Sequence, residues 1–579
     1  MKIQYRPEID GLRAIAVVSV ILYHAQINLF GKQPFNGGFI GVDIFFVISG
    51  YLISSIILKE LILTGAFSFK YFYERRIRRI LPALSFVMLA SFPVAWLYLP
   101  PSRLIEFSTS ILYSLGFSSN FYFYFSGLQY DAWEGLFAPF LHSWSLSVEE
   151  QYYILFPALF FLIFKYFQKL ILPFLIFSFV ISLALAEYLS EDFPSSTFYF
   201  IHTRIWELSA GSILAYLEIK HGHRSNNKSL NSIFSIVGTF LIVISFIKIF
   251  NHGTPHPSVY TLVPVVGVCL IIWFSSKDTI VTNILSSKIF VWTGLISYSL
   301  YLWHYPIFSF AKISGLVSGS FKLKVLLAVL TIIISTISFF LVEKNFRNKK
   351  LNFSKVLKIL GISSLIIIIG NFLVIKSNGF PDRFENLKLI NKNYNIDNFY
   401  LNKNRIPKIN QSKSEFIKDK EKVLIIGASH GDDFHNIFFS NKDLFPNYDF
   451  AKISKYKLEH IISNHLVKEA DIIVFSFRWN NERINYIFKN TVPELLRNNK
   501  RVVIASSTNE YKVRSKMYTL LDEKILFENE NIDYFGFKSL YFKNRLLNSN
   551  SEINLKLKNL SEKNNLTFLN KEDYLCNLN

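Results

Sequence analysis

Asp10, Arg13 and His24 lie along one face of the first apolar stretch, Asp10-Gly-Leu-Arg-Ala-Ile-Ala-Val-Val-Ser-Val-Ile-Leu-Tyr-His24. On a helix, the rotation from Arg13 to His24 is three turns plus about 20°, so the two side chains align roughly 16 Å apart along the axis. Asp10 falls about 40° to the other side of that line. A charged pair at the end of a lipid-length helix, aligned with an intramembrane imidazole, is costly unless it is used or paired. It reads either as a helix-packing histidine with snorkelling end charges or as a catalytic imidazole with a charged approach. A neutral imidazole beside a carboxylate in a dry helix bundle is a serviceable general base. The carboxylate fixes the tautomer and stabilises the imidazolium as the proton is taken.

Other ionisable residues sit in apolar stretches: Asp43 in Gly41-Val-Asp-Ile-Phe-Phe46, Glu149, Glu150, Arg204, Glu207 and His304. Glu149 and Glu150 are adjacent and point about 100° apart on a helix, so both are not expected to face His24. Arg204 and Glu207, at i and i+3, form either a structural salt bridge or part of a site. The run Arg75-Arg-Ile-Arg-Arg79 has two readings as well. It orients the chain in a bilayer, or its guanidinium groups clamp phosphates bidentately. Charge alone leaves both open.

These residues need lipid-length helices to hold them. The 579-residue chain is 51% hydrophobic and 17% aromatic, with mean hydropathy +0.29, too apolar for a soluble protein of its size. Apolar runs crowd into residues 12–375, and the part after 380 is polar and rich in Lys, Asn and Glu. That shift marks a polytopic membrane region followed by a soluble domain of about 200 residues. The first run lacks a small-residue cleavage site and a second follows at once, so it is expected to be retained and not removed as a signal peptide. A net charge of +20 would suggest nucleic acid in a soluble protein. Here much of it sits in short loops, where it sets orientation, and no nucleic-acid partner is expected. Cys269 and Cys576 offer no disulfide framework, and no metal centre is expected.

About eleven transmembrane helices are expected, at 12–30, 39–63, 80–99, 143–164, 170–189, 203–219, 231–250, 258–274, 289–310, 325–342 and 356–375. Segment 104–125 is apolar too but carries several Ser, Thr and Asn. With the N-terminus cytoplasmic and 104–125 not crossing, inside loops hold roughly 20 Lys and Arg and outside loops about 5. Arg75, Arg76, Arg78, Arg79, Lys344, Arg347, Lys349 and Lys350 then all fall inside. The expected domains are 1–376 in the membrane, a linker at 377–420, and an extracytoplasmic 421–579. In the last part, Lys422-Val-Leu-Ile-Ile-Gly427, Asp471-Ile-Ile-Val-Phe-Ser476 and Arg501-Val-Val-Ile-Ala-Ser506 alternate with helical stretches, which predicts an α/β fold with a parallel sheet. Ser429 follows the first strand. A serine on such a turn can act as a nucleophile, with backbone N–H groups stabilising an oxyanion. Its base is missing: His465 is the last histidine, and the DxxH spacing of Asp432-Asp-Phe-His435 follows the serine too closely.

Taken together, the motifs resemble the acyltransferase-3 family of integral membrane acyltransferases, particularly the bacterial surface-polysaccharide O-acetylases that carry a fused SGNH-hydrolase-like domain. The resemblance covers 1–375 and rests on several motifs in order. They are Arg13 with His24 ten residues between, Gly41-Val-Asp-Ile-Phe-Phe-Val-Ile-Ser-Gly50, Arg75-Arg-Ile-Arg-Arg79, His142-Ser-Trp-Ser-Leu-Ser-Val-Glu-Glu-Gln151, Thr203-Arg-Ile-Trp-Glu-Leu208 and Ser297-Tyr-Ser-Leu-Tyr-Leu-Trp-His304. It implies a multi-pass protein of the bacterial inner membrane. The donor would be acetyl-CoA from the cytoplasm, with no permanently bound cofactor. The acceptor would be an exported or lipid-linked glycan such as lipopolysaccharide O-antigen. His24 would be catalytic, with Glu149 or Glu150 as its carboxylate support. Asp10, Arg13, Asp43, Arg75, Arg76, Arg79, His142, Arg204, Glu207 and His304 would bind substrate or CoA.

The C-terminal match is partial. Gly427-Ala-Ser429-His430 resembles the first SGNH block, with Ala428 where Asp is usual. No glycine lies between Gly431 and Gly536 for the second block, and Phe477-Arg-Trp-Asn480 stands in the region of the third. The Asp-x-x-His block is missing, so an SGNH-like, flavodoxin-like α/β domain incomplete at its C-terminus is expected, with Ser429 ranked well below His24. The expected reaction is acetyl transfer to a sugar hydroxyl, His24 either deprotonating the hydroxyl or relaying the acetyl group. A glycan or lipid transporter or flippase suits the same intramembrane charges. An acyltransferase acting on peptidoglycan or a small molecule is the third reading.

Overall fold

The computed structural model divides between Phe380 and Pro381 into two compact units. It describes residues 5–27, 33–127, 135–250, 253–314, 321–383, 416–417, 419–427, 431, 435, 438, 442–453, 458, 461–477, 479–507, 513–515, 518–519 and 551–570.

The first unit is helical, as lipid requires of a chain whose backbone groups must bond within their own segment. Its helices are α1 (Pro7–Ala25), α2 (Gly41–Thr64), α3 (Phe69–Tyr98), α4 (Pro101–Leu115), α5 (Ser119–Ser126) and α6 (Ser143–Tyr166). There follow α7 (Ile171–Leu189), α8 (Pro194–Tyr199), α9 (Ile205–His221), α10 (Lys228–Ile244), α11 (Leu262–Phe274) and α12 (Ile280–Leu285). The last are α13 (Lys288–Leu295), α14 (Ser297–Ile313), α15 (Phe321–Ser338), α16 (Lys344–Arg347) and α17 (Phe353–Lys376).

Seven described stretches are long and apolar enough to cross a membrane: Gly38–Thr64, Phe69–Tyr98, Ser143–Tyr166, Gln168–Leu189, Lys228–Ile249, Phe321–Arg347 and Phe353–Lys376. All eleven expected stretches contain helix, but four fall short of that standard. α1 carries Glu8, Asp10 and Arg13 in its first turns, and α9 has 17 residues. Val259–Phe274 is a shorter apolar helix, and 289–310 breaks at Ile296 between α13 and α14. Segment 104–125 is α4 and α5, parted at Gly116 and Phe117, the latter at φ 51. Fifteen residues of α4 span about 22 Å, less than the roughly 30 Å of a hydrocarbon core.

The best apolar window of Gly38–Thr64 is 78% buried and that of Phe321–Arg347 only 17%, so α2 is central and α15 peripheral. Peripheral helices expose Phe177, Leu341 and Ile362, as a lipid-facing surface does. α2 meets α9 through two glycines. A Cβ on Gly50 would stand 1.9 Å from the Leu208 carbonyl oxygen, and one on Gly211 2.0 Å from that of Val47. Only hydrogen fits there, the usual device for bringing two membrane helices into backbone contact.

The second unit holds β1 (Glu421–Ile426), β2 (Tyr448–Ile453), β3 (Ile472–Phe475), β4 (Arg501–Ala505), a short ribbon of β5 (Val513–Ser515) and β6 (Tyr518–Thr519), and β7 (Thr567–Leu569). The main sheet is parallel in the order β2-β1-β3-β4-β7. Alternate residues of the strands feed two apolar clusters, Leu424, Ile426, Ile473 and Phe475 in one and Val423, Ile425 and Val474 in the other. Burial on both faces is why these strands read as continuous apolar runs. β2, Tyr-Asp-Phe-Ala-Lys-Ile, was not anticipated, because Asp449 and Lys452 interrupt its apolar pattern although both are buried. Asn480 of the expected third block caps the helix Asn481–Tyr486, and Trp479 beside it donates from its indole to the Ala505 carbonyl at 2.8 Å. Ala428, Ser429 and His430 lie outside the described residues.

Candidate active site

Three histidines from three helices meet in the core of the first unit. His24 comes from the last turn of α1, His142 from the residue preceding α6, and His304 from the middle of α14. All three are buried. His304 Nε2 stands 3.3 Å from His24 Nδ1, and the two rings are 5.2 Å apart. His142 lies 5.4 Å from His304 and stacks on Tyr305 at 5.3 Å. Tyr305 also meets His24 edge-on at 4.9 Å.

The backbone decides the proton positions. His304 Nδ1 is 2.6 Å from the Tyr301 carbonyl oxygen, which can only accept, so Nδ1 carries the hydrogen. With both rings neutral, His304 Nε2 is then an acceptor, His24 Nδ1 donates to it, and the His24 lone pair is on Nε2. That is the tautomer a general base needs.

Tyr301 links this cluster to a cavity of about 390 Å³ that it lines with Ser145. Its hydroxyl is 2.6 Å from Ser145 Oγ and donates to the His142 carbonyl at 2.9 Å. The other end of the cavity is basic. Arg13, Arg75, Arg76, Arg78 and Arg79 line it, with Arg347 and Lys349 from α16 and the turn beyond. Against these seven cations stand three carboxylates, Glu74, Glu149 and Glu150, leaving an excess of positive charge. In both α1 and α14 the cavity-lining residues come first in the chain and the histidine later.

The arginines are not equivalent. Arg78 is buried and committed, pairing with Glu74 at 2.9 Å and donating to the Phe346 and Leu351 carbonyls at 3.3 and 2.9 Å. Arg76 pairs with Glu150 at 2.9 Å over the ring of Tyr153. Arg75 lies over Tyr71, and Arg13 pairs with Asp10 at 3.2 Å. Arg79 lines the cavity, and among the described residues no acceptor bonds it. Asp10 does not line the cavity; it holds Arg13 and accepts from the Tyr5 hydroxyl at 2.8 Å.

Glu149 and Glu150 do not support His24. The Ser49 and Tyr153 hydroxyls both donate to Glu149, and Glu150 is taken by Arg76. The reason is axial distance: seven and eight residues beyond His142, they sit about 10–12 Å further along α6, beside the arginines. The group facing His24 is an imidazole.

Asp43, Arg204 and Glu207 form a separate, fully buried charge cluster. Arg204 Nη1 donates to Asp43 at 2.9 Å and to Glu207 at 3.1 Å, and His256 Nε2 is 3.1 Å from both Asp43 oxygens. The guanidinium also lies between Trp144 and Phe198, 5.4 and 5.1 Å from their ring centres. Val42 lines the cavity, but Asp43 is turned about 100° from it and faces α9. These three expected binding residues are therefore away from the cavity, held as a structural knot. Sequence reasoning missed His256, Tyr301 and Ser145, and treated Arg347 and Lys349 as orienting charges only. Among the described residues, no group of three His, Cys, Asp or Glu could hold a metal ion.

Comparison with known proteins identifies the family. The acyltransferase domain of the acyltransferase-3 family matches residues 6–344. A Staphylococcus aureus (strain MSSA476) protein named "Putative O-acetyltransferase SAS0844" is 32% identical over 459 residues, covering 74% of each chain. The peptidoglycan O-acetyltransferase OatA of Listeria monocytogenes is 31% identical over 366 residues, 61% of this chain and 57% of the relative. No solved structure matches the chain. With a family match over more than half of its length and a relative similar over most of it, the chain belongs to the acyltransferase-3 family and is an acyltransferase.

Proposed function

We propose that the first unit transfers an acetyl group from acetyl-CoA to a sugar hydroxyl of a cell-surface glycan. One observation carries this reading: a cavity with excess positive charge at one end is walled at the other by Tyr301, whose carbonyl accepts from His304, the partner of the buried His24. Phosphates of the donor bind Arg75, Arg76, Arg79, Arg347 and Lys349 by charge-assisted hydrogen bonds. The pantetheine arm extends toward the histidines, over the roughly 16 Å that separates Arg13 from His24 on α1. His24 Nε2 takes the proton of the acceptor hydroxyl while its oxygen attacks the thioester carbonyl. The carbon–sulfur bond breaks, and CoA leaves as the thiol after accepting that proton. His304 holds the tautomer that makes this possible.

The arginine end faces the cytoplasm and the histidines lie toward the outer side of the bacterial inner membrane. α1, α9, Val259–Phe274 and the α13–α14 pair cross with the seven longer stretches, for eleven passages. The α/β unit lies outside and presents or accepts the glycan. Two relatives whose names state an acceptor, in Listeria monocytogenes and Bacillus subtilis, name peptidoglycan. Peptidoglycan is therefore the acceptor to test first.

The test is the purified full chain in lipid nanodiscs with acetyl-CoA and peptidoglycan fragments, read by mass spectrometry. An O-acetyl ester on the glycan with release of CoA is expected. A protein that moves glycan across the bilayer without leaving an ester is a transporter, and the proposal fails.

A further inference from the structure

Beyond the histidines, at the end of α1 remote from the arginine cavity, two lysines close on one residue. The Lys312 ammonium donates to Gln26 Oε1 at 3.2 Å, and the Lys324 ammonium donates to the Gln26 backbone carbonyl. Gln26 follows His24 by two residues and ends α1 in the left-handed conformation, at φ 49. A single lysine suffices to complement the negative end of a helix dipole. Here two are brought together, from α14 and α15, each only partly exposed. Among the described residues no carboxylate pairs with either, whereas Arg13, Arg76 and Arg78 each hold one and Arg204 holds two.

Their place along the bundle says what would neutralise them. On α1 the order is Arg13, His24, Gln26; on α14 it is Tyr301, His304, Lys312. Lys312 is eight residues past His304, about 12 Å along the axis. Thus the imidazoles lie between one cationic group suited to the donor's phosphates and a second on the acceptor's side. A like-charged pair with no carboxylate partner among the described residues, next to the reacting end, fits a substrate that brings the anion with it.

We propose that Lys312 and Lys324, with the Gln26 amide, bind an oxyanion carried by the acceptor and so place its hydroxyl at His24. The oxyanion is a sugar carboxylate or the phosphate of a lipid-linked glycan. The inference rests on the acetyl-transfer reading above and assigns its acceptor a charge.

Equilibrium binding to the full chain in nanodiscs, without donor, tests it. Three probes are compared: a neutral N-acetylglucosamine trimer, a trimer bearing a uronic acid, and a short prenyl diphosphate. The wild type is expected to bind an anionic probe about tenfold or more tightly than the neutral one, with a preference that weakens as salt rises. The K312Q/K324Q protein loses that preference and K312R/K324R keeps it. Which anionic probe wins identifies the source of the charge. Equal binding of all three by the wild type, or an undiminished preference in K312Q/K324Q, overturns the site. Where a variant fails to fold, the wild type still decides: an anion preference that does not weaken with salt overturns the site as well. Acetyl transfer is assayed in parallel: an intact preference without any ester formed overturns the acetyl-transfer reading and leaves the anion site standing.

Discussion

Arg78 and Arg79 are neighbours in the chain and both line the cavity, but Arg78 is tied to backbone carbonyls and Glu74 while Arg79 has no acceptor among the described residues. Arg79→Ala is expected to raise the KM for acetyl-CoA about tenfold, the loss of roughly 1.5 kcal/mol from one charge-assisted contact, with melting little changed. Arg78→Ala is expected to do the reverse, lowering the melting temperature with a smaller effect on that KM. Steady-state kinetics and thermal unfolding on the two purified variants distinguish them. Arg204→Met removes the guanidinium that, among the described residues, bonds both Asp43 and Glu207. Breaking a buried pair in this way costs about 3–5 kcal/mol, so detergent-solubilised protein is expected to melt far below the wild type. The alignment of Arg13 with His24 was legible in the sequence because both lie on one helix, where spacing fixes direction. The His24–His304 and Asp43–His256 contacts join residues 280 and 213 positions apart, and no local spacing encodes them.

At the scale of elements, hydropathy located helix in all eleven stretches, since burying backbone in lipid leaves a helix as the usual solution. It did not find the break at Ile296 or the parting at Gly116 and Phe117. A single turn of irregular backbone hardly alters the mean over a window of that length. Nor did it rank the helices, because an apolar residue facing lipid and one facing protein look alike. Glycine contacts do rank them. Gly50→Val, which drives a side chain into the Leu208 carbonyl, is expected to separate α2 from α9 and to destabilise the protein by at least about 1–3 kcal/mol. A Cβ on Gly361 of α17 meets nothing within 4 Å. Gly361→Ala is expected to be neutral or stabilising by roughly 0.5–1 kcal/mol. Thermal unfolding of both variants, at equal detergent and lipid, checks the contrast.

At the scale of the whole molecule, composition shifts from apolar to polar near residue 380, and the chain divides into two compact units between Phe380 and Pro381. The parallel sheet was legible from three apolar runs. β2 was hidden by its buried Asp449 and Lys452. The proposed orientation makes a direct prediction in a background of Cys269→Ser and Cys576→Ser. With Lys350→Cys, an impermeant thiol reagent applied to spheroplasts should label only after permeabilisation. With Lys556→Cys, it should label at once. The opposite pattern reverses the orientation and places the arginine cavity on the wrong side for a cytoplasmic donor. The central claim, that His24 carries the transfer, is tested most directly by His24→Ala in the full chain at matched membrane levels, with the O-acetyl content of the surface glycan read by mass spectrometry. The expected result is a loss of at least about 100-fold, the contribution of a positioned general base. Undiminished acetylation by a normally inserted His24→Ala protein would contradict it.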